Sequence, residues 1–285
     1  FYTNAKGVLL EKPQIDEAAR PGDDLILSVD AELQREAVEL LGDRQGSVVM
    51  LNVDTGGILV HAATPTFDPM APGRREIDGL PTSEFCRAHR GRYPAASTFK
   101  LITASAALRH GWKYEHPVTC RGKYYWPGWD RAFHCDHRWG HGEIDLAEAI
   151  KSSCNVYFYN IGHDMGGDAL VAEARRFGFG KKTGIDLPGE KSGSLLRDSE
   201  VPDGGELLNF SIGQGALLVT PLQVANAYAA LANGGKLLRP HLVSEIRAGD
   251  GSVVDSFDGE VIGRLDLSPA DREFLIDSHA SVANE

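Results

Sequence analysis

Apolar residues recur along this chain in two rhythms, and the switches between them mark out its elements. Residues 25–28 form a short apolar run suited to a strand. Asp30-Ala31-Glu32-Leu33-Gln34 then opens a helix, with Asp30 as its N-cap and Leu33, Ala37, Val38 and Leu41 recurring on one face. Residues 46–52 are rich in β-branched side chains, Asp54-Thr55-Gly56-Gly57 is a turn signal, and residues 58–63 resume the apolar run, which predicts a β-hairpin. Residues 64–93 are dense in proline, glycine and charge and read as a long surface loop.

A helical rhythm takes over further on. It predicts a helix over 97–110 closed by Gly111, two helical pieces over 146–151 and 155–165 around a turn, and a helix over 169–177 closed by Gly178. Residues 221–233 predict another, with Pro221 in its first turn. Residues 237–246 read as one strand, Val253, Val254 and Phe257 as a second, and Ser268 caps a last helix that starts at Pro269. Strands ahead of a mainly helical middle point to an α+β fold and away from a doubly wound sheet.

Composition narrows this picture in three ways. A chain of 285 residues, 42% hydrophobic, buries a large core, enough for one big domain or a domain with a fragment attached. A net charge of −11 argues against a nucleic-acid partner, whose phosphates draw on clustered Lys and Arg. No apolar run reaches the length of a membrane span, and no signal peptide is present. Residues 1–24 are polar and irregular, ending in Arg20-Pro21-Gly22-Asp23-Asp24, so they read as a linker or the tail of a preceding domain, with 25–285 the main domain. Four cysteines are too few to build a disulfide scaffold in a chain of this size.

The chemistry concentrates at Tyr93-Pro94-Ala95-Ala96-Ser97-Thr98-Phe99-Lys100. Pro94 breaks the incoming chain and an apolar helix follows, so Ser97 sits at or near a helix N-terminus. Positions i and i+3 share a face, which lets the Ser97 hydroxyl and the Lys100 amine meet. A serine is a weak nucleophile and needs a base, and a partly desolvated lysine has a lowered pKa that suits it to take the proton. Ser-x-x-Lys alone also describes an ordinary cap serine with a solvated lysine. A second stretch, Ser152-Ser153-Cys154-Asn155, falls on the turn between two helical pieces. There Ser153 can relay a proton and the Asn155 carboxamide can bind a substrate amide, although Ser153 is also a good helix cap.

The order of the surrounding segments decides between these readings. The chain resembles the class B penicillin-binding proteins, the elongation-type penicillin-binding protein 2 subfamily in particular. The matching pieces are the stretch from Pro21 to Asp30, the Asp54-Thr55-Gly56-Gly57 turn, Tyr93 to Lys100, Trp139-Gly140-His141-Gly142, Gly184-Ile185-Asp186-Leu187-Pro188-Gly189-Glu190, Ile212-Gly213-Gln214-Gly215 and Thr220-Pro221-Leu222-Gln223. They run in the family's order over nearly the whole chain. Two departures stand out: Ala95-Ala96 where the family commonly has Pro-Gly, and Asn155 where several elongation-type members carry Asp.

The resemblance implies a penicillin-binding protein or serine β-lactamase-like fold, an antiparallel sheet with a helical subdomain. It implies a D,D-transpeptidase at the periplasmic face of the inner membrane. Ser97 is then the nucleophile toward peptidoglycan stem peptides and β-lactams, Lys100 the general base, and Ser153 and Asn155 the second motif. The partner it implies is a membrane glycosyltransferase. A β-lactam hydrolase or sensor of the same fold, or a non-catalytic scaffold for that glycosyltransferase, remain the competing readings.

The family's third motif is Lys-Ser/Thr-Gly on an edge strand. Lys182-Thr183-Gly184 matches it literally but stands between two turns with no β-branched strand around it, so it is set aside. The expectation is that the chain ends before the real motif and is inactive or badly crippled for want of a second oxyanion donor, while its parent is active.

Cys120, Cys135, His141 and Cys154 form a Cys₃His set of the kind that holds structural zinc, with Cys154 pointing away from its neighbours Ser153 and Asn155. A Cys120–Cys135 disulfide and free thiols stay open beside zinc, and His134 and His137 are alternative ligands. Some elongation-type members carry Asp, His and Cys ligands at the equivalent places. No role is assigned to Cys86, and the aromatic group Tyr124, Tyr125, Trp126 and Trp129 reads as packing or groove lining.

Overall fold

In the computed structural model the described residues are 5, 6, 8, 21–70, 76, 77, 80, 81, 83–196 and 200–283. Most of the 1–24 tail expected from sequence lies outside them. The N-terminal part alternates strand and helix: β1 (Asp24–Leu27), α1 (Ala31–Leu41), β2 (Gly46–Leu51), β3 (Ile58–Thr64), β4 (Glu76–Ile77), β5 (Leu80–Pro81) and α2 (Arg87–Arg90). A 3₁₀ turn, Ala96–Phe99, leads directly into α3 (Lys100–Arg109). Four short strands follow, β6 (Val118–Cys120), β7 (Lys123–Tyr125), β8 (Ala132–His134) and β9 (Gly142–Ile144). The helical middle is α4 (Leu146–Lys151), α5 (Asn155–Arg176), α6 (Gly204–Ser211) and α7 (Pro221–Ala232). The chain continues through β10 (Lys236–Leu238), β11 (Val243–Arg247), β12 (Val253–Ser256) and β13 (Val261–Arg264) to α8 (Pro269–Ala283).

The predicted hairpin is present. β2 and β3 pair antiparallel from Gly46 opposite Thr64 to Leu51 opposite Ile58, and the Asn52 side chain closes the turn by accepting from the amides of Asp54 and Thr55. Alternate residues of β3 are buried, so one face of the hairpin rests on α1, where Leu33, Val38 and Leu41 pack against Val60 and Ala62. β1, β11 and β12 make a three-stranded antiparallel sheet. The single strand expected over 237–246 is instead two, β10 and β11, in different sheets. Pro240 between them has no N–H to continue a ladder, and the chain switches partners there.

Residues Lys100 to Leu108 of α3 are all buried, which makes this the central helix of the molecule. It packs against α5, whose Tyr157, Phe158, Ile161 and Leu170 are fully enclosed. The helices expected over 155–165 and 169–177 are the two halves of α5. Gly166, at φ 76°, supplies the kink between them, a backbone angle that a side chain resists. Inside the helical lobe Glu173 is buried between Arg109 (2.8 Å) and Arg176 (3.3 Å) and accepts from the Ser105 hydroxyl, tying α3 to α5. The stretch read as surface loop over 64–93 is partly inside the protein: Ala88 and His89 of α2 are buried.

Candidate active site

The 3₁₀ turn sets the nucleophile. Ser97 lies exposed within it, and the Lys100 amide donates to the Ser97 carbonyl, so the predicted helix starts one turn later than the apolar pattern suggests. Ala96 is held at φ 50°, a left-handed angle that costs a non-glycine residue about 1 kcal/mol. Its amide donates to the Gly213 carbonyl at 2.8 Å. A Cβ on Gly213 would come within 2.1 Å of the Ala96 carbonyl oxygen, so only glycine lets the 212–215 segment buttress the nucleophile turn. That role for Gly213 was not legible in sequence, where the segment marked only a family match.

The second motif owes its shape to a helix end. The Ser153 amide donates to the Ile150 carbonyl and the Cys154 amide to Ala149, the paired bonds of a Schellman cap on α4. The position after such a cap normally holds glycine in the left-handed region. Ser153 takes it at φ 51°. This turns its carbonyl and hydroxyl together toward α3.

Lys100 fills the space between. The residue is 2% exposed, and its ammonium donates to the Ser153 carbonyl (2.6 Å), the Ser153 hydroxyl (2.8 Å) and the Asn155 Oδ1 (2.7 Å). Those three acceptors use all three of its N–H bonds. Its Nζ also stands 5.5 Å from the centre of the Phe158 ring. Burial pulls the lysine down to about 8, with Asp136 and the thiols of Cys154 and Cys135 pushing the other way. About a tenth of it is therefore neutral at pH 7. The Ser153 hydroxyl, accepting from the ammonium, donates in turn to Ser97 Oγ at 3.0 Å. Ser97 and Lys100 thus communicate through Ser153, and the direct contact that their i, i+3 spacing predicts is not among the site's hydrogen bonds. Asn155, at the start of α5, donates from Nδ2 to the His134 carbonyl at 3.4 Å.

Behind this turn lies the sulfur cluster. Cys120 ends β6, Cys135 follows β8, His141 precedes β9 and Cys154 caps α5. One donor atom from each lies within 4.8 Å of all the others, with Cys135 Sγ 3.7 Å from His141 Nδ1 and 3.9 Å from Cys154 Sγ. A tetrahedral ion about 2.3 Å from two sulfurs sets them about 3.8 Å apart, so the donor set and its spacing fit zinc. All three cysteines are free thiols and buried. Burial pushes the Cys135 thiol up, but the backbone amides of Val156, His137 and Asn155 and the Cys154 thiol outweigh it, leaving Cys135 below the usual range. Cys154 moves the other way, raised by burial and then by Cys135 and Cys120. Burial and the neighbouring His137 lower His141. Of the alternative ligands, His137 bonds the Gly140 carbonyl through Nδ1. Of the aromatic group, Tyr124 meets Tyr159 and Trp126 meets Trp129, while Tyr125 and Trp129 are exposed.

An apolar cleft of 490 Å³ opens beside the nucleophile turn, lined by Val49, Tyr93, Pro94, Thr98, Val219 and Tyr228. Lys182-Thr183-Gly184 lies in a loop, with Thr183 and Gly184 held by the Glu190 carboxylate.

Residues 46–278 match the family model described as the penicillin binding protein transpeptidase domain. The chain is 33% identical over 271 residues to the peptidoglycan D,D-transpeptidase MrdA of Acinetobacter baumannii, covering 89% of this chain and 40% of that protein. It is 31% identical over 247 residues to MrdA of Escherichia coli K12, covering 78% of this chain and 38% of that protein. The chain thus spans about two fifths of the length of these curated relatives. Among solved structures it superposes on penicillin-binding protein 2 of Pseudomonas aeruginosa in complex with WCK 5153 (TM-score 0.77, 33% identity, 91% of this chain and 59% of that one). It also superposes on PBPA of Mycobacterium tuberculosis (TM-score 0.82, 26% identity, 92% of this chain and 63% of that one).

Proposed function

We propose a function from one premise: this chain belongs to the penicillin-binding protein transpeptidase family. It is the catalytic domain of a peptidoglycan D,D-transpeptidase, and Ser97 is its acylated residue. The observation that carries this reading is the relay Lys100 Nζ–Ser153 Oγ–Ser97 Oγ, with links of 2.8 and 3.0 Å.

A charged ammonium can only donate, so it fixes Ser153 as acceptor from Lys100 and donor to Ser97. When Lys100 is neutral the chain reverses. The lysine accepts from Ser153, and Ser153 accepts from Ser97. The Ser97 oxygen then attacks the carbonyl carbon between the two D-Ala residues of a stem peptide as its proton passes through Ser153 to Lys100. A C–O bond forms, the C–N bond breaks, and the proton returns to the departing D-Ala amine. An amine from a neighbouring strand resolves the ester, restoring the Ser97 hydroxyl and forming the cross-link. A β-lactam enters by the same first step, its ring amide in place of the peptide, and leaves a stable ester. The Ser97 backbone N–H is one oxyanion donor. The second is expected from a Lys-Ser/Thr-Gly strand, which is not among the described residues.

Zinc belongs to this reading as a structural ion. Cys120, Cys135, His141 and Cys154 would hold it, and through Cys154 it would pin the Ser153 and Asn155 backbone from behind. The periplasmic face of the inner membrane is the compartment where the substrate is found. A membrane glycosyltransferase that makes the glycan strands is the working partner of the whole protein. Among the structural relatives, penicillin-binding protein 2 of Helicobacter pylori is in complex with MreC.

The test is covalent labelling with a fluorescent penicillin. We expect a slow, stable label that peptide mass spectrometry maps to Ser97 and that Ser97→Ala abolishes. Label on another residue, or label that survives the substitution, overturns the assignment. Rapid turnover of the label would favour a hydrolase.

A further inference from the structure

Outside the sulfur cluster, two elements, β3 and the capped start of α2, bring metal-ligating side chains to one point. His61 comes from β3, Cys86 caps α2, and His89 lies one turn along α2. One donor atom from each lies within 4.8 Å of the other two. Cys86 Sγ is 3.8 Å from His61 Nδ1, and His61 Nε2 is 3.2 Å from His89 Nδ1. His89 is buried, while His61 and Cys86 are half-buried and reachable from solvent.

The partners fix the protonation pattern. His89 Nε2 lies 3.3 Å from the Pro188 carbonyl, which has no proton to give, so this nitrogen carries the proton and Nδ1 presents its lone pair inward. A carbonyl behind a ring nitrogen is the usual support for a metal-bound histidine. Two nitrogens on one tetrahedral zinc-class ion stand about 3.3 Å apart, and a nitrogen and a sulfur about 3.6 Å. The spacings of 3.2 and 3.8 Å are close to those values. Because His61 faces its two neighbours with different nitrogens, chelation needs one ring turn at His61 or one rotamer change at Cys86.

α2 depends on its packing against β2, β3 and α7, because its own turn contributes little. Four residues make a single helical turn, which is unstable in water, and its cap residue Cys86 makes no side-chain cap bond. We propose that His61, Cys86 and His89 form a second metal site, a Cys-His₂ chelate for a zinc-class divalent cation that clamps α2 to β3 and leaves a fourth position open to solvent. Through Pro188 the clamp extends to the 186–190 turn.

The experiment is cobalt(II) and zinc(II) titration of the folded chain, with bound metal counted per chain and the thiolate-to-cobalt absorption band recorded. Cys86→Ser and His89→Gln are compared with the unsubstituted protein, all checked for native circular dichroism. The expected result is one more equivalent bound by the unsubstituted chain than by either variant, with part of the thiolate band lost in Cys86→Ser. The result does not depend on whether the other cluster is filled, because it is a difference. Equal stoichiometry and an equal band in all three proteins would overturn the proposal and leave the trio a hydrogen-bonded chain. Should a variant fail to fold, His61→Gln takes its place and is read by the same difference: one equivalent fewer than the unsubstituted chain supports the proposal, and no difference overturns it.

Discussion

Along α3 and the first two turns of α5 almost every side chain is enclosed: Leu101, Ala104 and Ala107 on one helix, Tyr157, Phe158 and Ile161 on the other. β1 and β12 expose every residue they contain. The groups that need fixed positions sit in the first region, and the second carries none of them. Lys100 is part of the close-packed helix, so its stem cannot swing out to water, and its desolvation follows from the same packing that fixes its direction. The turn carrying Ser153 and Asn155 is likewise set between two helices and backed by buried thiols. The lesson is that Lys100 owes both its geometry and its lowered pKa to the core, and the peripheral sheet can vary without touching either.

This contrast makes graded predictions. The largest effect comes from removing the base while keeping its bulk. Lys100→Met should lower the acylation rate by roughly 10²–10⁴ with little loss of fold, read by stopped-flow labelling and circular dichroism. Next is the ion network that locks α3 to α5. Glu173→Ala leaves Arg109 and Arg176 facing a buried gap and should cost about 3 kcal/mol in urea unfolding, whereas Leu25→Ala on exposed β1 should stay within about 0.5 kcal/mol. Equal costs at the two sites would remove the distinction between the regions. The smallest effect sharpens it: Ala96→Gly relieves a left-handed alanine and should stabilise the protein by up to about 1 kcal/mol, measured in the same urea experiment.

Sequence reading reached unequal depths in these regions. The four residues of the relay and its flank, Ser97, Lys100, Ser153 and Asn155, were legible because their segments run in the order of a known family, and the four side chains do converge. What stayed hidden was the link between them. The spacing of Ser97 and Lys100 assumes one continuous α-helix, but a 3₁₀ turn carries Ser97, and Ser153 spans the interval. The Schellman cap at Ser153 was invisible because its signature residue, glycine, is missing there. β6 to β9 escaped notice because three-residue strands give no run long enough for an alternating pattern. α6 was missed for a related reason: it opens on Gly204-Gly205, which reads as a loop. The hairpin, α1 and α7 were readable because each has its full set of cap or turn residues, the Thr220 and Gln223 capping box among them.

The claim on which the mechanism turns is that protons move between Ser97 and Lys100 through the Ser153 hydroxyl. The direct measurement is the pH profile of the acylation rate for the parent chain and for Ser153→Ala. Only neutral Lys100 can accept a proton, so the parent rate should rise with pH and level off above about 8, following a lysine whose pKa burial has lowered. Ser153→Ala should be roughly 10²-fold slower and lose that rise. A variant that keeps both the rate and the inflection would contradict the relay.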